Sequence, residues 1–341
     1  MQSSPLKVAH REAGLSLTEL MVALAIGSFL MIGTINIYNQ SREAFVVNES
    51  IARVQETAQF AMDTIEADLR MASNWGRNSR GLQIDGRSFT DDADPLNLTP
   101  PADCGVRWVL DLGLPIDGFN NNYGLACLPS AAAGTAQTNS DTITVRRGSV
   151  APVLPANGRL QIQNSRIAGQ LIFNGVIPPI FTPPADPAFP AQPTDSSATH
   201  NLLVNSYYVA QESELIPNTP TLRRKTLTVA SGASVIQDQE VAPGVENIQL
   251  QLGIDMNGDN TVDRYVNPGD AVYNPTAPSG YSPGATVLTA RVWLVVRSVN
   301  RELAVQDGND YEPGDVDLGT FSDGYRRMVV SKTILLRNAR T

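Results

Sequence analysis

The chain has 341 residues, 42% of them hydrophobic and 17% charged, with 25 Lys and Arg against 34 Asp and Glu and a formal charge of −9. That is enough apolar material for one sizeable domain or two small ones, and too acidic a surface to hold nucleic acid over a whole face. Two cysteines without a CxxC spacing or a nearby histidine make a metal-thiolate centre a weak reading.

Residues 1–14 are a polar leader containing Lys7, Arg11 and Glu12, and its removal would leave a formal charge of −10. An apolar run follows, GLSLTELMVALAIGSFLMIGTINIY over residues 14–38, with a single acid, Glu19, near its start. As a helix, residues 17–37 would span roughly 30 Å, the thickness of a bilayer's hydrocarbon core. A carboxylate within such a run costs on the order of 2.5–3.5 kcal/mol at mid-membrane and less near the edge, so it calls for a use. A cleaved secretory signal would need a small-residue site after its apolar core, and NIYNQSREA after Ile35 is a poor one. A plain signal anchor with a stray acid is the second alternative. Glu19 also suits the first turn of a helix, where the dipole favours negative charge. Lys7 and Arg11 before the run, with Arg42 the first base after it, bias the N-terminus mildly towards the cytoplasm.

Gly14, Leu15 and Glu19 occupy the three diagnostic places of the type IV prepilin signature, which this arrangement resembles: basic leader, Gly, hydrophobic residue, Glu at the fifth mature position. The usual first mature residue in that family is Phe, and Leu15 departs from it. The continuation QSREAFVVNESIARVQETAQFAMDTIEADLRMAS resembles the long first helix of the PilW-type minor pilins. The resemblance implies cleavage after Gly14 by a prepilin peptidase and N-methylation of Leu15. It also implies that Glu19 answers the N-terminal amine of a neighbouring subunit during assembly. Its partners would be other minor pilins, the major pilin and the inner membrane.

Residues 15–38 are read as the membrane and assembly half of one helix and residues 39–74 as its amphipathic soluble half. In the second half Val47, Ile51, Val54, Ala58, Ala61, Ile65, Leu69 and Ala72 recur at three- and four-residue steps, one face of a helix packed on its own domain. Arg53, Glu56, Asp63, Glu66 and Arg70 fill the solvent positions. Asn74 and Gly76 end the helix.

From residue 75 to 341 the chain reads as strands and turns. Strands are expected at 106–112, 142–147, 159–163 and 171–174. A low-complexity loop at 131–140 and a Pro-rich loop at 175–195 interrupt them. Further on, 202–211 and 221–229 form a hairpin around Pro217, Asn218 and Pro220. In 245–253, Ile248, Leu250 and Leu252 face inward and Gln249 and Gln251 outward. The longest β run is 287–299, able to pair antiparallel with 327–336. The order of elements gives an α+β fold, a long N-terminal helix on a mostly antiparallel sheet. Cys104 and Cys127 would bond in an exported domain, contributing roughly 3–4 kcal/mol, or stay as two buried thiols.

One cluster suggests a cation. Asp255, Asn257, Asp259, Thr261 and Asp263 place oxygens at alternate positions, like the first part of an EF-hand-type calcium loop. Asn260 stands where Gly is usual and Val266 where a bidentate acid should be, and an Asp/Asn-rich turn between strands explains the same residues. A second acidic patch, Asp307, Asp310, Glu312, Asp315 and Asp317, reads as a solvated loop with calcium as the lesser alternative. Catalysis is hard to build: after leader removal only His200 could serve a nucleophile–base pair. The basic clusters at 223–225 and 326–327 lie in expected strands, too small for a nucleic-acid site.

These features together predict a non-enzymatic minor pilin that joins a minor-pilin complex to prime, and to cap, a type IV pilus. Its C-terminal domain would sit in the periplasm before assembly and at the pilus tip afterwards. A minor pseudopilin of type II secretion, a competence pilus component and a membrane-anchored adhesin are the alternatives.

Overall fold

The computed structural model describes residues 14, 16–87, 104–105, 108–130, 134–166, 168–181, 197–275, 277, 279–302 and 307–338. Residues 1–13 of the leader, Leu15 and residues 182–195 of the Pro-rich loop lie outside them. The chain divides into two compact units, residues 1–51 and 52–341. Helix α1, Leu17–Met71, begins in the first and ends in the second.

In the first unit the large apolar side chains of α1 are exposed among the described residues. Leu17, Phe29, Met31, Ile37 and Phe45 are all more than half exposed. The helix is long and apolar enough here to cross a membrane.

In the second unit the expected stripe is buried: Val54, Ala58, Ala61, Ile65, Leu69 and Ala72 each keep no more than 3% of their surface. At about 1.5–3 kcal/mol for each large side chain, this face is the main reason that part of the helix is held. The helix stops at Ser73, which adopts a left-handed φ of 62° as a C-terminal cap residue does. Ser73 N donates to Arg146 O at 3.4 Å, handing the chain to a strand.

Among the described residues, twelve strands build two sheets. The larger comprises β1 (Ile84–Asp85), β2 (Ile116–Phe119), β3 (Thr142–Gly148), β4 (Asn157–Asn164), β5 (Gly169–Asn174), β6 (Ala198–Ala210), β7 (Thr221–Ala230) and β8 (Ala233–Pro243). Its order is β1-β5-β4-β6-β3-β2, with β7 also on β6 and β8 on β7. The smaller contains β9 (Val245–Asp255), β10 (Arg264–Val266), β11 (Thr286–Arg297) and β12 (Arg327–Leu335) in the order β10-β9-β11-β12. Every pair is antiparallel except β1 with β5. The fold is α+β, as expected, with the sheet resolved into two.

The helix stripe shares one core with odd-numbered residues of β3 and β6 (Ile143, Val145, Tyr207, Val209) and with Ile248, Leu250, Val292 and Leu294 of the smaller sheet. Even-numbered Leu202 and Val204 point the other way, into a second core around Trp75, Leu110, Leu160 and Ile162. Strand β6 is therefore buried on both faces, and at 13 residues it, not β11, is the longest strand.

Three further expectations change. Residues 108–110 of the expected strand at 106–112 form a 3-10 turn, with Trp108 N bonded to Gly105 O at 3.3 Å and Val109 and Leu110 fully buried. Gln249 is buried rather than outward, because the chain at Gly314 lies against it: a Cβ on Gly314 would come 2.9 Å from Gln249 Cβ. Glu66 is buried rather than solvated, paired with Arg70 at 2.5 Å and with Lys332 of β12.

Candidate functional site

The head of α1 gathers the groups that sequence reasoning singled out and that the structure describes. Glu19 is the only charged residue between positions 16 and 41. Its Oε2 accepts from Ser16 N and from Ser16 Oγ, both at 2.9 Å, while Glu19 N donates to Ser16 Oγ at 3.3 Å. This is a capping box, in which Ser and the Glu three residues later satisfy each other's backbone donors. Among the described residues only Ser16 bonds Glu19. Gly14 is exposed, two residues ahead of the cap, with nothing within 4 Å of a Cβ built on it.

Further along, two hydroxyls within the apolar run bond their own helix: Ser28 Oγ donates to Ala25 O and Thr34 Oγ1 to Leu30 O, both at 2.9 Å. Hydrocarbon offers no partner for such groups, so internal bonding suits either lipid or a bundle of like helices. The arrangement consists of an apolar rod, one carboxylate at its head and a short polar lead-in.

The second unit holds α1 by charge as well as by burial. Asp68, 4% exposed, accepts from Arg147 Nε at 3.0 Å and Nη2 at 2.8 Å through Oδ1. Its Oδ2 accepts from Asn205 Nδ2 and Tyr207 Oη, both at 2.6 Å. Burial, and then the Asp68 charge, push the Tyr207 hydroxyl well above its ordinary pKa. A buried carboxylate with four donors is satisfied, and removing it would strand Arg147.

Cys104 and Cys127 form a disulfide, with Cα atoms 4.2 Å apart and 23 positions between them in sequence. The segment it closes is tied to β6, where Tyr123 stacks edge-on against Tyr208 with centroids 5.0 Å apart. Ser130 N donates to Tyr208 Oη at 3.1 Å.

The turn at 255–263 brings its candidate ligands together but spends them on itself. Asp255, 1% exposed, accepts from the backbone N–H of Asn257, Gly258 and Asn260 at 3.1, 2.7 and 2.8 Å. Asp259 accepts from Thr261 N at 2.8 Å, and Asp263 from Met256 N at 2.6 Å. Asn260 takes the left-handed φ of 63° that the turn requires. On the second acidic patch Asp310, Glu312 and Asp317 lie with carboxylate oxygens within 4.8 Å of one another, all exposed.

The other candidates are spent on structure. His200, 4% exposed, donates through Nδ1 to Ser149 O at 2.7 Å. Arg223, 2% exposed, pairs with Asp238 at 2.6 Å and Glu214 at 2.8 Å, and Lys225 with Asp238 at 2.8 Å, while Arg224 faces the other way to Gln239. Arg327 pairs with Glu246 and Asp323, both at 2.6 Å, and Arg326 with Glu302 at 3.0 Å. Asp323 is pulled down to about 2, chiefly by its bonds from Arg327. Arg223, Lys225, Arg326 and Arg327 of the basic clusters are thus held in internal ion pairs.

Comparison with known families gives two matches. Residues 206–338 match type IV pilus-assembly protein W (PilW), and residues 9–35 match the prokaryotic N-terminal methylation motif. No curated protein and no solved structure matches the chain.

Proposed function

We propose that this chain, a PilW-family pilin with a prepilin-type motif by those two matches, works as a minor pilin that primes assembly of a type IV pilus and stays at its tip. The observation that carries the reading is the head of α1, an exposed apolar helix with a single carboxylate fixed at its start. Such a surface is stable only in lipid or against other helices, and it supplies both. Lipid holds the chain in the inner membrane before assembly, with residues 52–341 on the periplasmic side. Sister helices replace the lipid afterwards. The mechanism is association, not turnover.

Processing fits the same geometry. Gly14 is exposed and the helix opens at Leu17, so the Gly14–Leu15 bond lies ahead of the helix in sequence, within reach of a peptidase. Cleavage there would put a new ammonium group close to Glu19 and remove the basic leader.

Mass spectrometry of the N-terminus from envelope fractions tests the reading. A mature chain beginning at N-methylated Leu15 is the expected result. A chain that keeps its leader while prepilin peptidase is active would reduce the protein to an anchored β-rich module. Normal pili with failed protein secretion in a deletion strain would move it to a secretion pseudopilin.

A further inference from the structure

A cavity of about 310 Å³ opens among three stretches of the second unit: the turn that follows α1, the chain leading into β2, and the chain from β10 into β11. The first stretch is shaped by Ser73, whose Oγ donates to Ser79 O at 2.6 Å and folds residues 73–79 into a loop. The 3-10 turn Gly81–Gln83 follows, with Arg80 ahead of it and Leu82 and Gln83 exposed. The second stretch passes so close that a Cβ on Gly81 would clash with Leu112 O, so only glycine lets these two walls meet.

The interior is apolar. Leu112, Leu114, Ile116 and Tyr273 line it, all buried, with Val287 half-buried beside them. The Tyr273 hydroxyl is taken up by Gly269 N at 2.7 Å, which leaves its ring for the cavity. Water gains little in such a space, and an apolar body that displaces it gains affinity. The volume stands at the lower end of the roughly 300–1,000 Å³ of small-molecule pockets, and an apolar lining with a few polar groups is their usual chemistry.

Charge selects the ligand. Among the described residues the lining contains one base, Arg80, and no acid, although the chain as a whole carries a formal charge of −9. Arg80 is exposed, and its guanidinium makes no ion pair or hydrogen bond among the described residues. In this it differs from Arg223, Arg326 and Arg327, each held by a carboxylate of the chain itself. Its planar fork of donors matches a carboxylate bidentately.

We infer that this cavity binds a small carboxylate with an apolar, ring-sized body. The carboxylate sits on Arg80 and the body lies against Leu112, Leu114, Ile116 and Tyr273. Gln83 and Thr286 line the same space and can add donors to the anion. Such a site makes the exported unit a receptor as well as an assembly element, and it stands whether or not α1 enters a pilus.

Calorimetric titration of the mature chain in a non-ionic detergent, with detergent alone as the reference, tests this with three soluble probes that share one body: 3-phenylpropionate, 3-phenylpropan-1-ol and 3-phenylpropylammonium. The carboxylate should bind about tenfold or more tighter than the alcohol, and the ammonium weakest. Arg80→Gln should erase that preference and leave binding of the alcohol unchanged. Leu82→Asp, which adds an acid to the lining, should weaken the carboxylate more than the alcohol. Both altered side chains are exposed, so folding should survive in each. Equal binding of carboxylate and alcohol, no binding of the carboxylate, or a preference that persists in Arg80→Gln overturns the inference.

Discussion

A carboxylate at the head of an apolar helix can act through its bonds or through its charge, and Glu19 offers both. Its capping box with Ser16 accounts for why an acid is tolerated there: Ser16, three residues earlier, supplies N–H and O–H donors that water would otherwise provide. Losing the box costs on the order of 1 kcal/mol, too little to unfold a helix of 55 residues. Glutamine keeps the box and deletes the charge, so two variants separate the roles. If the charge sets register between subunits, Glu19→Gln and Glu19→Ala should both insert in the membrane yet be missing from sheared pili, as read by immunoblot. If capping alone matters, Glu19→Gln should assemble like wild type. The Ser-x-x-Glu spacing was readable in the sequence. The helix dipole and a neighbouring subunit's amine, the two partners expected for this acid, leave out the nearer one, Ser16. Glu66 was a different case. On a helical wheel it belongs with the exposed charges, and its burial is offset by Arg70 on the same helix and by Lys332, 266 positions away.

At the scale of elements, local periodicity carried the reading a long way and long-range covering limited it. The stripe from Val54 to Ala72 follows from side chains at helical spacing, and the hairpin of β6 and β7 from turn residues between two β-branched runs. No strand was expected at β8, whose run Gln237, Asp238, Gln239 and Glu240 carries no apolar alternation. Its acids are drawn into the sheet by Arg223 and Lys225 across the ladder. Gln249 broke its strand's alternation for the same kind of reason, a loop 65 positions on that covers it. The cysteine pair was legible as a pair, and its energetic consequence follows from the length of chain it closes. Replacing both Cys104 and Cys127 by Ser should lower stability by roughly 3–4 kcal/mol. Denaturant melts of the two proteins under non-reducing conditions measure it. The loss should spread to β6, because Tyr123 and Ser130 on either side of Cys127 hold Tyr208. A change below about 1 kcal/mol would mean that those contacts hold the segment without the covalent link.

For the molecule as a whole, the question is where its solubility changes. The large apolar side chains of α1 up to Val46 are exposed in an unbroken series, whereas from Val54 onward the same helix buries one face in a core shared with both sheets. A single helix therefore serves two solvents, and the change falls close to Ile51, where the first compact unit ends. Residues 52–341 have their own cores, their own disulfide and internally paired arginines, and nothing in those features depends on the apolar head. Expressed in the periplasm without residues 1–51, this unit should be soluble without detergent and melt cooperatively with the disulfide formed. The mature full chain should aggregate until detergent covers its head. Sedimentation of both proteins with and without detergent decides the matter. If the truncated unit also needs detergent, or fails to fold, then the apolar head is part of the folding core and not a separate assembly element. The pilin reading of that helix would then lose its physical basis.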